Sequence, residues 1–194
     1  MTTTRRPIRI PLRKRLFDLA LSVPLVIALA PVMALVALVI RLAEGQPVLF
    51  RQPRPGLGGK VFTVFKFRTM RNASTPDGTA LPDAARLSRL GRFLRATSLD
   101  ELPELVNVLR GEMGLVGPRP LAREEMGFNA LWMQTRLSVK PGMTGLWQIK
   151  GRASRQFSDW VRYDIEYVQN WSLLGDLKIL LLTIPVVARR RGAL

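Results

Sequence analysis

The stretch Leu16–Ile40, LFDLALSVPLVIALAPVMALVALVI, contains twenty-five residues and one charge, Asp18. As a straight helix it would measure about 37 Å against about 30 Å of bilayer hydrocarbon, so composition alone predicts a membrane-embedded helix. A cleavable signal peptide fits less well: the run is too long, and no small-x-small site leads into polar sequence. Two features argue against a simple crossing. Arg5, Arg6, Arg9, Arg13, Lys14 and Arg15 precede the run, while Arg41, Arg51, Arg54, Lys60, Lys66, Arg68 and Arg71 follow it, opposed only by Glu44. Positive charge beside a membrane segment favours the cytoplasmic side, and here both flanks carry it. Pro24 and Pro31 also lie mid-run, where each removes a backbone donor and favours a kink. A bent helix that dips into one leaflet and returns keeps both flanks with the anionic cytoplasmic lipids. A kinked bitopic helix is the alternative.

Outside that stretch the chain is strongly basic. Its 194 residues carry 30 Lys+Arg against 14 Asp+Glu, a formal charge of +16, which points to anionic partners: nucleic acid, acidic lipid or phosphorylated substrates. An apolar content of 47% excludes a disordered basic tail, and the length suits one domain with an appended element. Cys and His are both absent. That excludes disulfides, thiolate catalysis, Cys-ligated metals and the commonest general base. Chemistry must use carboxylates, hydroxyls, Lys or Arg, and any metal should be a hard, oxygen-bound cation such as Mg²⁺.

Gly45–Gly59 reads as a Pro/Gly connector, and Lys60–Met70 (KVFTVFKFRTM) alternates like a short strand. Asn72–Pro82 is a loop with a turn signal at Pro76–Gly78. Ala84–Ala96 is expected as one basic helix, with Arg86, Arg89, Arg92 and Arg95 striping one face. Short helices are expected over Leu102–Leu109 and Leu121–Leu137, with loops at Gly111–Pro120 and Ser138–Arg152. Phe157–Gln169 is amphipathic. Leu173–Val187, preceded by Trp160, Tyr163, Tyr167 and Trp171, suits an interfacial helix better than a second crossing.

Among the fourteen acids, Asp100 and Glu101 stand out in TSLDELPEL, because Pro103 confines them to a helix start, where anions are favoured. A capping box with Ser98 as N-cap and Glu101 three residues on explains the same spacing, and on spacing alone it is the better reading. Arg119, clamped between prolines in GPRP, is pre-organised for phosphate, and Lys66, Arg68 and the Lys140–Arg152 loop supply further cations. Asp164 and Glu166 in RYDIEYV are the remaining plausible functional acids, against a default of helix surface. No Walker loop, dinucleotide fingerprint or zinc motif is present.

The succession KRLFD, a proline-broken apolar helix, RPGLGGKVFTVFKFRTM, SLDELPELVNVLRGEMGLVGPRP, KPGMTGLWQIKGR and RYDIEYV resembles the bacterial sugar transferase family from about Arg13 to Val187. These are small monotopic phosphoglycosyl transferases. The resemblance implies an α+β fold, predominantly helical with a short β element. A re-entrant membrane helix within residues 1–44 would pack on a cytoplasmic catalytic domain of residues 45–194 that carries interfacial amphipathic helices. Ala30-Pro31 stands where many members have Ser-Pro at the break. It also implies transfer of a sugar phosphate from a UDP-sugar to undecaprenyl phosphate, with release of UMP, at the inner membrane. Asp100 then resembles a nucleophile forming an aspartyl-phosphosugar, overturning the capping-box reading, and Glu101 its partner, holding Mg²⁺ or assisting the acceptor. Arg119 resembles the phosphate-contacting arginine; Arg95, Lys66, Arg68, Arg152 and Asp164 are weaker assignments to the same substrate site. The implied partners are the UDP-sugar, undecaprenyl phosphate and anionic phospholipid, with a homodimer as an option and no nucleic acid. Three rivals remain: a membrane-associated nucleic-acid binder needing no Asp100, a phosphohydrolase with water as acceptor, and a non-catalytic scaffold.

Overall fold

The computed structural model describes residues 11–71, 81–122, 130–151 and 156–188. The turn signal at Pro76–Gly78, Arg152, and the arginines before residue 11 and after residue 188 lie outside them. Among the described residues the fold is mostly helical, with two small sheets.

Helix α1 (Leu12–Glu44) is continuous through Pro24 and Pro31 and ends at Gly45, whose φ of 75° suits glycine. It is long and apolar enough to cross a membrane, and compatible with anchoring in one. Leu16, Ile27, Leu35 and Leu42 are among its many exposed apolar side chains. Both of its ends are tied to the rest of the protein. At the start, Arg15 donates to the carbonyls of Val108 and Leu109 at 2.5 and 2.6 Å, satisfying the C-terminal end of α4 (Glu104–Arg110). At the far end, Arg68 donates to the carbonyls of Glu44, Gly45 and Gln46, closing α1 itself. Ile40, fully buried, packs in a small core with Phe67 and Leu94.

The Gly45–Gly59 connector contains a strand that its composition hides. β1 (Leu49–Pro55) pairs antiparallel with β2 (Val61–Phe67), from Leu49 opposite Phe67 to Pro55 opposite Val61. Pro53 and Pro55 are tolerated because every strand of a two-stranded ribbon has an unpaired edge. Phe62 and Val64 point into the main core with Leu105, Val108, Met113 and Leu115. Asn107 on α4, fully buried, accepts from the Phe65 amide and donates to the Thr63 carbonyl, stitching α4 onto β2.

The basic helix expected over Ala84–Ala96 is two helices, α2 (Asp83–Arg86) and α3 (Arg89–Thr97). Leu87 bridges to Met70, and the Ser88 hydroxyl caps α3 by accepting from the Gly91 amide at 2.7 Å. Serine satisfies a helix start better than a helix interior, and this preference divides the arginine stripe. Gly91 is required by contact: a Cβ there would stand 1.9 Å from the Thr69 carbonyl oxygen.

The two regions read as loops meet as a parallel pair, β3 (Gly114–Val116) with β4 (Gly142–Thr144). A Cβ on Gly142 would lie 2.0 Å from the Gly117 amide nitrogen, so the approach needs glycine. The expected Leu121–Leu137 helix is α5 (Ala130–Arg136) among the described residues, and Leu121 and Ala122 are outside it. α6 (Phe157–Gln169) and α7 (Leu173–Ala188) follow as expected. On α7, Asp176 and Ile179 are buried, while Leu174, Leu181 and Ile184 face outward.

Candidate active site

α3 ends at Thr97, and Ser98 turns the chain with φ of 56°, its amide donating back to the Arg95 carbonyl. Ser98 therefore closes one helix instead of opening the next, and its side chain makes no capping bond. The capping box is not formed. A single 3₁₀ turn, Leu99–Glu101, then leads through Leu102 and Pro103 into α4, placing Asp100 and Glu101 where α3, β2 and α4 converge.

These acids face an open cleft of about 1370 Å³. Lys66, Arg68, Arg95, Asp100, Glu101 and Arg119, six of the expected site residues, all line it, with Trp147 and Trp160 along another part of the wall. Arg95 is fixed by its Nε–H donating to the Thr69 hydroxyl at 3.1 Å, one consequence of the close packing at Gly91. Arg119 reaches within 3.5 Å of Glu101 and lies over the Trp147 ring at 5.9 Å.

Asp100 is only 8% exposed. Burial first, then the neighbouring Glu101, push its carboxyl up to about 6, while Lys66 and Arg95 pull it down. At neutral pH it is therefore ionised yet poorly solvated, a combination that favours nucleophilicity. Lys66 pairs with Glu101 at 2.8 Å and with Glu104 at 3.1 Å. Burial opposes its charge, but the two carboxylates prevail and hold the ammonium above its usual range. Glu104 is almost fully buried, and its carboxyl is raised chiefly by that burial. Sequence reasoning passed over Glu104. Its signal was the i, i+4 relation to Asp100 in DELPE, and what hid it was that an acid in a first helical turn is ordinary.

Two expectations come out differently. Arg68 lines the cleft, but both of its Nη atoms donate to the carbonyls that end α1, a structural tie. Asp164 is buried behind the cleft, accepting from the Trp132 indole at 3.0 Å and pairing with Arg136. Burial raises it to about 6 against the pull of Arg136. Arg152 is outside the described residues. Glu166, the other acid of that motif, pairs with Lys150 at the surface.

Among the described residues no group of three or more acids could hold a metal alone. Mg²⁺ commonly binds through one or two carboxylates with substrate phosphates completing its shell. The all-oxygen donors Asp100 and Glu101, at a cleft whose cations suit phosphate, fit that mode.

The model of the family described as Bacterial sugar transferase matches residues 10–190. The chain belongs to the bacterial sugar transferase family. Relatives of this sugar transferase include the "Uncharacterized sugar transferase EpsL" of Bacillus subtilis, 45% identical over 92% of this chain and 89% of that protein. The exopolysaccharide production protein ExoY of Sinorhizobium fredii is 39% identical, covering 93% of this chain and 87% of its own. A UDP-glucose:undecaprenyl-phosphate glucose-1-phosphate transferase of Caulobacter vibrioides is 43% identical, with 92% and 70% covered. The sugar transferase is thus an enzyme, against the scaffold reading.

Proposed function

We propose that the protein transfers a sugar-1-phosphate from a UDP-sugar to undecaprenyl phosphate through a covalent aspartyl intermediate. The observation that carries this reading is the buried, ionised Asp100 in a cleft walled by Lys66, Arg95 and Arg119. The Caulobacter relative's name supplies the donor and acceptor classes.

In the first step an Asp100 carboxylate oxygen attacks the sugar-bearing phosphorus of the donor. The new oxygen–phosphorus bond forms as the bond to the bridging oxygen breaks, and UMP departs with that electron pair. Arg119 and Arg95 are placed to offset charge on the phosphates, and their fixed geometry means little reorganisation is needed. Lys66, held between Glu101 and Glu104, keeps its positive charge beside the nucleophile. In the second step a phosphate oxygen of the lipid attacks the same phosphorus, and the Asp100 carboxylate is released unchanged. Glu101 is the residue to hold Mg²⁺ against the donor's phosphates, where the cation would supply charge neutralisation. A covalent intermediate lets a water-soluble donor and a membrane-bound acceptor use one cleft in turn.

Topology follows from the same reading. Both ends of α1 are bonded to one body, through Arg15 to α4 and through Arg68 beside β2. That supports a helix that enters and leaves on one side of the membrane, and the basic flanks favour the cytoplasmic side. The exposed apolar faces of α1 and α7 would then sit in and along the inner leaflet.

The test is UMP release from a panel of UDP-sugars by the full chain with Mg²⁺ and undecaprenyl phosphate. The wild type is expected to release UMP and form the lipid product, and Asp100→Asn to do neither. Wild-type turnover by that variant would refute the role of Asp100. Free sugar phosphate in place of lipid product would favour a phosphohydrolase.

A further inference from the structure

Behind the cleft lies a buried assembly that meets it through the main chain of Arg119. Trp132, Arg136 and Asp164 are 1%, 5% and 6% exposed. The Trp132 indole N–H donates to Asp164 Oδ2 at 3.0 Å, Arg136 Nη1 lies 3.6 Å from the same oxygen, and the guanidinium stacks on the Trp132 ring at 4.8 Å. The other arm of the fork, Nη2, donates to the backbone carbonyl of Arg119. A buried ion pair adds little stability over a well-packed apolar replacement, so packing alone does not call for charge here. What the guanidinium does that a leucine could not is hold that carbonyl. The preceding residue is fixed too: the Pro118 carbonyl accepts from the Gly142 amide at 2.9 Å. Arg119 thus has its main chain clamped from behind while its side chain, 40% exposed, reaches over the cleft toward Glu101.

We propose that Asp164 and Arg136 are positioning residues, which clamp the Arg119 main chain so that its guanidinium is pre-set for the diphosphate of the donor. The inference rests on the transferase reading and reassigns Asp164 from substrate contact to support. A planar fork is needed to join Asp164 and the carbonyl at once, and lysine has none.

The experiment is a double-mutant cycle on the full chain, with inorganic pyrophosphate as the calorimetric probe and melting temperature recorded for every variant. Arg119→Ala and Arg136→Lys are each expected to weaken pyrophosphate binding about tenfold or more, as misplacement of a binding group does. The double variant is expected to be no weaker than Arg119→Ala alone, because both remove one interaction. Should Arg136→Lys fail to fold, the same cycle with Asp164→Asn decides, since asparagine keeps an acceptor for Trp132. Losses that multiply in the double variant, or a wild type that does not bind pyrophosphate, would overturn the proposal. A coupled cycle without UMP release from any UDP-sugar would instead refute the transferase reading and leave the clamp standing.

Discussion

Among the described residues two lysines each bridge a pair of carboxylates, one group buried and the other partly exposed at the cleft, and they are built to opposite ends. At the foot of α1, Lys14 bonds to Asp18 at 2.9 Å and to Asp176 at 2.8 Å. Those carboxylates are further satisfied: Asp18 accepts from the Leu115 amide, and Asp176 from the Tyr167 hydroxyl and the Trp171 indole. Burial, followed by the adjoining Asp176, raises the Tyr167 phenol, so it stays a neutral donor. In the cleft, Lys66 likewise bridges two acids, Glu101 and Glu104, but the neighbouring Asp100 receives no side-chain hydrogen bond among the described residues. A saturated charge is locked and joins α1 to β3 and α7. The Asp100 carboxylate, shielded from water and with its own backbone amide but no side chain among the described residues as a donor, is left to react.

This contrast fixes the expected signs of mutation. The largest effect on stability should come from Lys14→Met, which strands two buried carboxylates and should cost about 3–5 kcal/mol in chemical denaturation. A neutral effect would mean that the group at the foot of α1 is not what holds the helix. Asp100→Asn should move the other way. Its carboxyl binds a proton more tightly when folded than unfolded, so the fold gains stability as pH falls from about 6 toward 4 and bears the full cost above. At pH 7.5 the variant should therefore be more stable by roughly 2–3 kcal/mol, and the gain should vanish near pH 4. The same titration should appear in wild-type kcat/KM as a loss of activity below about pH 6. A gain that persists at pH 4 would separate stability from this carboxyl.

A smaller effect is expected from Gly91→Ala. Its methyl group would press on the Thr69 carbonyl, which should cost about 1–3 kcal/mol and shift Arg95 from its bond to Thr69. Melting temperature and kcat/KM should fall together, and an unchanged kcat/KM would remove Arg95 from the site.

The sequence carried the two ends of the story and lost the middle. The apolar run, the amphipathic α6 and the apolar α7 are legible because periodicity and hydrophobicity are local signals, whereas the gathering of cations around Asp100–Glu101 is implied by the family resemblance. β1 is not legible, since two prolines and flanking glycines mask a strand that only its partner stabilises. β3 and β4 are three residues each, too short for a pattern, and exist because Gly117 and Gly142 let two loops touch. The Ser98–Glu101 spacing by itself suits a capping box. The left-handed Ser98 shows why spacing misleads there: the serine terminates the preceding helix. Roles assigned by charge type alone were the least secure. Arg68, at a strand end, and Arg119, in a proline-flanked loop, both line the cleft, yet one ties off α1 and the other reaches over the cleft.

The account turns on a bond from Asp100 to phosphorus, and mass spectrometry of the enzyme quenched after mixing with a UDP-sugar, before lipid is added, tests it most directly. The expected result is one sugar phosphate on the peptide that contains Asp100, with one UMP released per chain. Normal formation of the lipid product, with no such adduct on that peptide at any time, would contradict it.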